Sequence, residues 1–280
     1  MVDRVASATG HGPAPTIANP ISQACTWAQF QEPTYSTWLE RFGESASANR
    51  KVWEWAWICQ SLEQHFGGDG STPGDVVGFG VGTEPIVGWM AHRGHRVLAT
   101  DLPACDDNAA HWATTNQLAA DVTELDPRGL ATADEMAGQV RFRAVDMRNV
   151  PDDLGQFDAV WSSCAIEHLG SLDAGFDFVR ATLRHCRPGA ISLHTTELNV
   201  SHRDHTVESG DTVVYRQRDL ELFFAEMRAA GHTVHATFNL GDAVEDQSVD
   251  WPPFGDVHMK MAVGDVVTTS FGFAVIVGAG

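Results

Sequence analysis

Val76-Val77-Gly78-Phe79-Gly80-Val81-Gly82-Thr83-Glu84-Pro85 is the stretch on which the fold turns. Two β-branched residues suit the end of a buried strand, and three glycines at alternate positions then suit a tight turn. Thr83 is placed as the N-cap and Pro85 in the first turn of a helix over 83–93, with Gly94 just beyond its end. A strand, a glycine turn and a helix N-terminus together form a place where backbone approaches a ligand closely and N–H groups face a polar or anionic group.

The same alternation continues outward. Strands are expected at 96–100, 140–145, 157–162, 190–196, 232–239 and 268–277, with helices at 172–186 and 218–230 between them. Asp101 and Asp146 stand at the ends of the second and third strands. The order implies a seven-stranded α/β Rossmann-like sheet, largely parallel, with helices on both faces. Upstream, residues 34–66 read as helical and carry Trp53, Trp55 and Trp57, so 21–68 is expected to form a helical cap. Residues 1–20, rich in Ala, Pro, Gly and Thr, are expected to form a loose arm. The main domain spans 69–280, and its insertion at 102–139 is long enough for two helices.

Composition narrows the function. The chain has 280 residues and a formal net charge of −19, with Lys51 and Lys260 its only lysines. That charge opposes wrapping nucleic acid or an anionic membrane. No stretch approaches the roughly 18 apolar residues of a membrane span, and the N-terminus lacks the apolar core of a signal peptide, so a cytoplasmic location is expected. The five cysteines form no C-x-x-C pair, which is poor material for a disulfide framework or a thiolate metal motif.

Two cofactor classes compete for the glycine turn. A dinucleotide fingerprint would place a third glycine where Thr83 stands, whereas G-x-G-x-G suits a ligand without a pyrophosphate. The chain resembles a class I S-adenosylmethionine-dependent methyltransferase, from VVGFGVGTEP through ATDLP, VDMRNVP and FDAVWSSCAIEHLG to RPGA. RKVWEWAW and LHTTELNV further resemble bacterial enzymes of small-molecule and glycan pathways. The resemblance implies that Gly78, Gly80 and Gly82 pass beneath the methionine part of S-adenosylmethionine, that Asp101 holds the ribose, and that Asp146 and Met147 frame the adenine. It places Ser162 and Ser163 near the transferred methyl group. Val76 stands where the family usually has an acid, so Glu84 becomes the candidate partner of the methionine amino group; Trp112 in the insertion is a candidate adenine cover.

Methyl transfer needs an aligned nucleophile and, for a hydroxyl, help with its proton. Glu167 and His168 follow the fourth strand, and His194 and Glu197 end the fifth, followed by Asn199; His258 lies in a late segment able to fold over the same edge. These five His and Glu residues are the candidate catalytic groups, with Trp27, Phe30, Tyr35 and Trp38 of the cap expected to lid the acceptor pocket. A divalent metal is not favoured, because Glu197, His202, Asp204, His205 and His258 match no tight ligand spacing. The expected reaction is methylation of a small-molecule or saccharide hydroxyl, leaving S-adenosylhomocysteine. N-methylation of an amine is the close alternative, a catalytically silent cofactor-binding module the alternative of another class, and an NAD-dependent dehydrogenase the third. The apolar helical front also suits a homodimer.

Overall fold

A computed structural model describes residues 12–68, 72–103 and 118–279. The central strands are β1 (Gln23–Ala24), β2 (Asp75–Phe79), β3 (Arg96–Asp101), β4 (Val140–Ala144), β5 (Phe157–Ser162), β6 (Cys186–Asn199), β7 (Lys260–Val263) and β8 (Val266–Ile276). They lie in the order β1-β8-β6-β5-β2-β3-β4, with β7 hairpinned onto β8. Strands β2 to β6 are parallel to one another, and β8 runs antiparallel to β6 from Thr268 opposite Asn199 to Ile276 opposite Ile191. The strand order reverses between β2 and β5, and there the carboxyl ends open a crevice.

Alternation along β2 divides the core. Val76 faces one apolar layer with the tryptophans of the cap, while Val77 and Phe79 face another with Phe176, Phe178, Phe223 and Phe224. The first layer carries α1 (Trp27–Phe30), α2 (Pro33–Phe42), α3 (Arg50–His65), α4 (Ile86–His92) and α5 (Ala133–Gln139). The second carries α6 (Leu172–Leu183) and α7 (Gln217–Ala229).

Four local expectations change. The helix expected over 34–66 is broken: α2 ends at Gly43, whose φ of 68° gives the left-handed cap that stops it, and α3 restarts at Arg50 with Asn49 as its cap. Pro85, not Thr83, precedes the first residue of α4. The strand expected at 232–239 makes only isolated bridges, Thr233 with Ile276 and Ala236 with Ser22. Its place beside β8 is taken by β1, whose Gln23 and Ala24 pair with Gly272 and Phe271. Residues 12–20, expected to be loose, are docked: Ile17 is buried, and the N–H groups of Ile17 and Ala18 donate to the Glu32 carboxylate.

The cap is part of the core. Trp53 and Trp57 are fully buried, and Gly272 on β8 lets the Trp57 indole lie flat, since a Cβ there would come within 2.5 Å of it. Phe30, Tyr35 and Trp38, expected to lid a pocket, are buried in the same layer. No described helix is long and apolar enough to cross a membrane.

Candidate active site

At the carboxyl edge of β2, β3 and β5 lies a cavity of about 320 Å³. The glycine turn forms its floor, with Gly80 at φ 59° and Gly82 at φ 51°, conformations that other L-residues rarely adopt. A Cβ on Gly80 would stand 3.3 Å from Ala165 and 3.4 Å from the Met147 sulfur, so it would narrow the cradle directly. Gly78 serves a different purpose. Its missing Cβ is replaced by the Trp161 indole, 2.2 Å from where that atom would be, and Gly78 does not reach the cavity.

Two carboxylates frame the cavity from the ends of β3 and β4. Asp101 accepts from the N–H groups of Gly82 and Ala119 at 3.0 Å and of Leu102 at 2.8 Å. Burial raises its pKa, opposed by those three donors. Asp146 caps the turn at 147–149 and accepts from the Arg148 backbone at 2.8 Å and its guanidinium at 2.9 Å. Partial burial works against its charge, but Arg148 and Asn149 hold the pKa below the usual range.

The cap does reach the cavity, though not through the aromatic residues expected to lid it. Lys51 and Trp55 of α3 line the cavity, as does Arg128 of the insertion. The Lys51 ammonium sits 2.5 Å from Glu84 and 3.1 Å from the Ser163 hydroxyl, with Glu54 at 3.6 Å. Burial opposes the lysine charge, yet Glu84 and Glu54 more than offset this and raise its pKa. Glu84 is raised by its own burial, with Lys51 pulling the other way. One Glu84 oxygen, Oε2, is buried with no hydrogen-bond partner. Arg128 covers the Trp55 ring at 4.9 Å and pairs with Glu44. The one sequence signal for Lys51 was its rarity in a chain with two lysines.

The expected acceptor-side residues disperse. Of the five, only His168 lines the cavity; its Nδ1 lies 2.8 Å from the Asp211 carbonyl oxygen. His194 is fully buried on the other face of the sheet, between Phe178 and Phe273, and bridges Ser162 and Ser192 at 2.8 Å each. Burial lowers its pKa to about 3, so it stays a neutral packing histidine, and the bond to it draws Ser162 away from the cavity as well. Ser163 does line it. Glu197 is bound by the Arg50 guanidinium and the Thr268 hydroxyl. Glu167 accepts from Thr196 and is fully buried. His258 pairs with Asp250 at 2.8 Å, lies tilted against Phe254 and stands beside Asn49, away from the lining. Asn199 holds the loop at His205 and Thr206. Trp112 lies outside the described residues.

A sheet covered on both faces, with a glycine turn, two strand-end acids and a cavity at the point of reversal, places the chain in the Rossmann-like class of α/β folds. Residues 77–193 match the family model described as a methyltransferase domain. Over that stretch the chain carries a methyltransferase domain, as in the S-adenosylmethionine-dependent methyltransferases it resembles. No curated protein matches its sequence at a significant level. Among solved structures, it is similar to an O-methyltransferase family protein from Burkholderia thailandensis, at 12% identity and TM-score 0.42, covering 82% of this chain and 60% of that one. It is also similar to the glycopeptide N-methyltransferase MtfA, at 13% identity and TM-score 0.43, covering 78% and 89%. A third is the DhpI–SAH complex, at 16% identity and TM-score 0.43, covering 88% and 95%. The chain therefore spans about 60% of the length of the first.

Proposed function

We propose that the protein methylates a hydroxyl of a small molecule or saccharide, with His168 as the base. The observation that carries this reading is the hydrogen bond at His168. A carbonyl oxygen only accepts, so Nδ1 donates to Asp211, and the basic lone pair belongs to Nε2 of a side chain that lines the cavity. An imidazole whose Nδ1 is engaged as a donor presents Nε2 as the proton acceptor for an alcohol attacking in line.

The residues present fit S-adenosylmethionine. The orphaned Glu84 Oε2 suits an ammonium, Lys51 beside it suits a carboxylate, and Gly80 leaves room for a chain to pass. Asp101 is the candidate for the ribose, and Asp146 with Met147 for the adenine. The cofactor supplies an activated methyl group on a sulfonium; the chain's own task is to orient the acceptor, take up its proton and exclude water. A net charge of −19 favours a small acceptor over a nucleic acid.

Calorimetric titration with S-adenosylmethionine, S-adenosylhomocysteine and NAD tests the cofactor first. Micromolar binding of both adenosyl ligands and none of NAD is expected. Turnover with hydroxylated acceptors, lost in His168→Gln with cofactor affinity kept, is expected next. Turnover on amines alone would replace this reading with N-methylation. Full activity of the variant would remove His168 from the chemistry.

A further inference from the structure

Two carboxylates share one ammonium where α3 meets the glycine turn. The Lys51 Nζ lies 2.5 Å from Glu84 and 3.6 Å from Glu54. The Ser163 hydroxyl accepts from Lys51 at 3.1 Å and has one proton to give, with each carboxylate 3.3 Å away. Glu54 has further donors, the Thr195 hydroxyl at 2.9 Å and the Ser270 hydroxyl at 2.5 Å. Glu84 is less well supplied. Lys51 and Ser163 both address its Oε1, and Oε2 is buried with no hydrogen-bond partner among the described residues. A bare, buried carboxylate oxygen is costly, and taking up a proton relieves that cost.

We infer that a proton and the cofactor's amino group compete for Glu84 Oε2, so that cofactor binding expels a proton and strengthens as pH rises. This coupling rests on the reading above, in which Glu84 meets that amino group. The neighbours of Glu84 point to the same carboxylate. On α3, burial opposes the Lys51 charge but Glu84 and Glu54 more than offset it, so the ammonium persists. Burial pushes up the thiols of Cys59 on α3 and Cys164 beyond β5, which keeps both neutral. Arg128 of the insertion pairs with Glu44 at 2.6 Å. Asp101 at the end of β3 takes three backbone N–H donors. One ammonium therefore serves two carboxylates, and the uncompensated oxygen is on Glu84. Burial raises the Glu84 pKa, with Lys51 pulling it down.

The proton balance follows from the geometry. As pH falls, the free protein takes a proton on Oε2, because Oε1 faces an ammonium. On binding, that O–H bond breaks, the proton passes to solvent, and an N–H of the incoming ammonium donates to Oε2 in its place. The ammonium keeps its own protons, so up to one proton is released per ligand bound. Below the pH at which free Glu84 ionises, each unit of acidification weakens Kd by about tenfold, and above it the dependence fades. Methylthioadenosine carries the same nucleoside without the amino-acid end, so it leaves the Glu84 proton in place. Asp101, Asp146 and His168 line the same cavity, and any proton they exchange with the nucleoside is counted with both ligands. That matters for Asp101, whose pKa burial also raises.

Calorimetric titration of the full chain with S-adenosylhomocysteine and with methylthioadenosine tests this. Run at pH 5.5, 6.5 and 7.5 in pairs of buffers with different ionisation heats, it counts the protons released. S-adenosylhomocysteine is expected to release up to one proton more than methylthioadenosine at pH 5.5, with the excess falling as pH rises. Its affinity relative to methylthioadenosine should strengthen by up to about tenfold per pH unit over the same range. Glu84→Gln should release equal numbers of protons with the two ligands and hold their affinity ratio flat. Equal release by the two ligands in the parent chain, or an excess that persists in Glu84→Gln, would overturn the inference. The parent comparison decides the matter even where the variant does not fold. Binding of both ligands with equal release removes only the proton coupling. Binding of neither removes the cofactor reading and the coupling with it.

Discussion

Replacing Glu84 by Gln keeps the side chain's size and takes away one negative charge. Glu84 Oε1 pairs with Lys51 at 2.5 Å, and Oε2 is buried with nothing to accept from. An ammonium placed against Oε2 would form a charge-assisted hydrogen bond worth about 1.5–3 kcal/mol. Its loss corresponds to a weakening of about 10- to 150-fold in Kd. Lys51 would keep Glu54 at 3.6 Å and the Ser163 hydroxyl at 3.1 Å, so the fold should survive the change. The assay is calorimetric titration of parent and variant with S-adenosylhomocysteine and with methylthioadenosine, which has the same nucleoside but no amino-acid end. S-adenosylhomocysteine should weaken by that factor and methylthioadenosine by less than about twofold. Equal weakening of both ligands, or none of either, would refute the assignment of Glu84 to the amino group.

Asp101→Ala should weaken adenosyl-ligand binding by at least tenfold in the same titration, because it also strands the N–H groups of Gly82, Leu102 and Ala119 that shape the cavity. Gly78→Ala should cost about 1–3 kcal/mol in urea unfolding, since its Cβ would collide with Trp161 and Val81 rather than with a ligand. Stability should fall as pH drops below about 6.5, the ordinary histidine value. His194, with a folded-state pKa of about 3, then binds a proton only when unfolded. The slope is about 1.4 kcal/mol per pH unit for such a group. Chemical unfolding at pH 5.5 and 7.5 should show it, and His194→Gln should lessen the slope by about 1.4 kcal/mol per pH unit, leaving the share of buried His95, whose pKa is lowered to about 4.

How far the chain could be read in one dimension differs from element to element. The glycine turn, the two strand-end acids and the sheet were legible because each is local: a period of two, a positive φ, a carboxylate at a strand's end. Gly80, Gly82, Glu84, Asp101, Asp146, Met147 and Ser163 accordingly all line the cavity. Gly78 and Ser162 belong to the same motifs but turn toward Trp161 and His194, because alternation along a strand sends neighbours to opposite faces. The break of the cap helix at Gly43 rests on a single left-handed residue that the apolar spacing overrode.

Long-range packing decided the remainder. Lys51 and Trp55 reach the cavity because α3 packs on β6 and β8, seated by Trp57 on Gly272, and no spacing within residues 50–65 encodes that contact. The same docking delivers Arg50 to Glu197, so a glutamate that looked free to act on an acceptor is held by a cap residue 147 positions earlier. Sequence alone determined the fold class, the cofactor turn and the acids at the strand ends, since backbone preference and strand alternation are properties of neighbouring residues. Tertiary structure determined which His and Glu face the cavity, because a side chain's neighbours in a folded sheet come from strands and helices far apart along the chain.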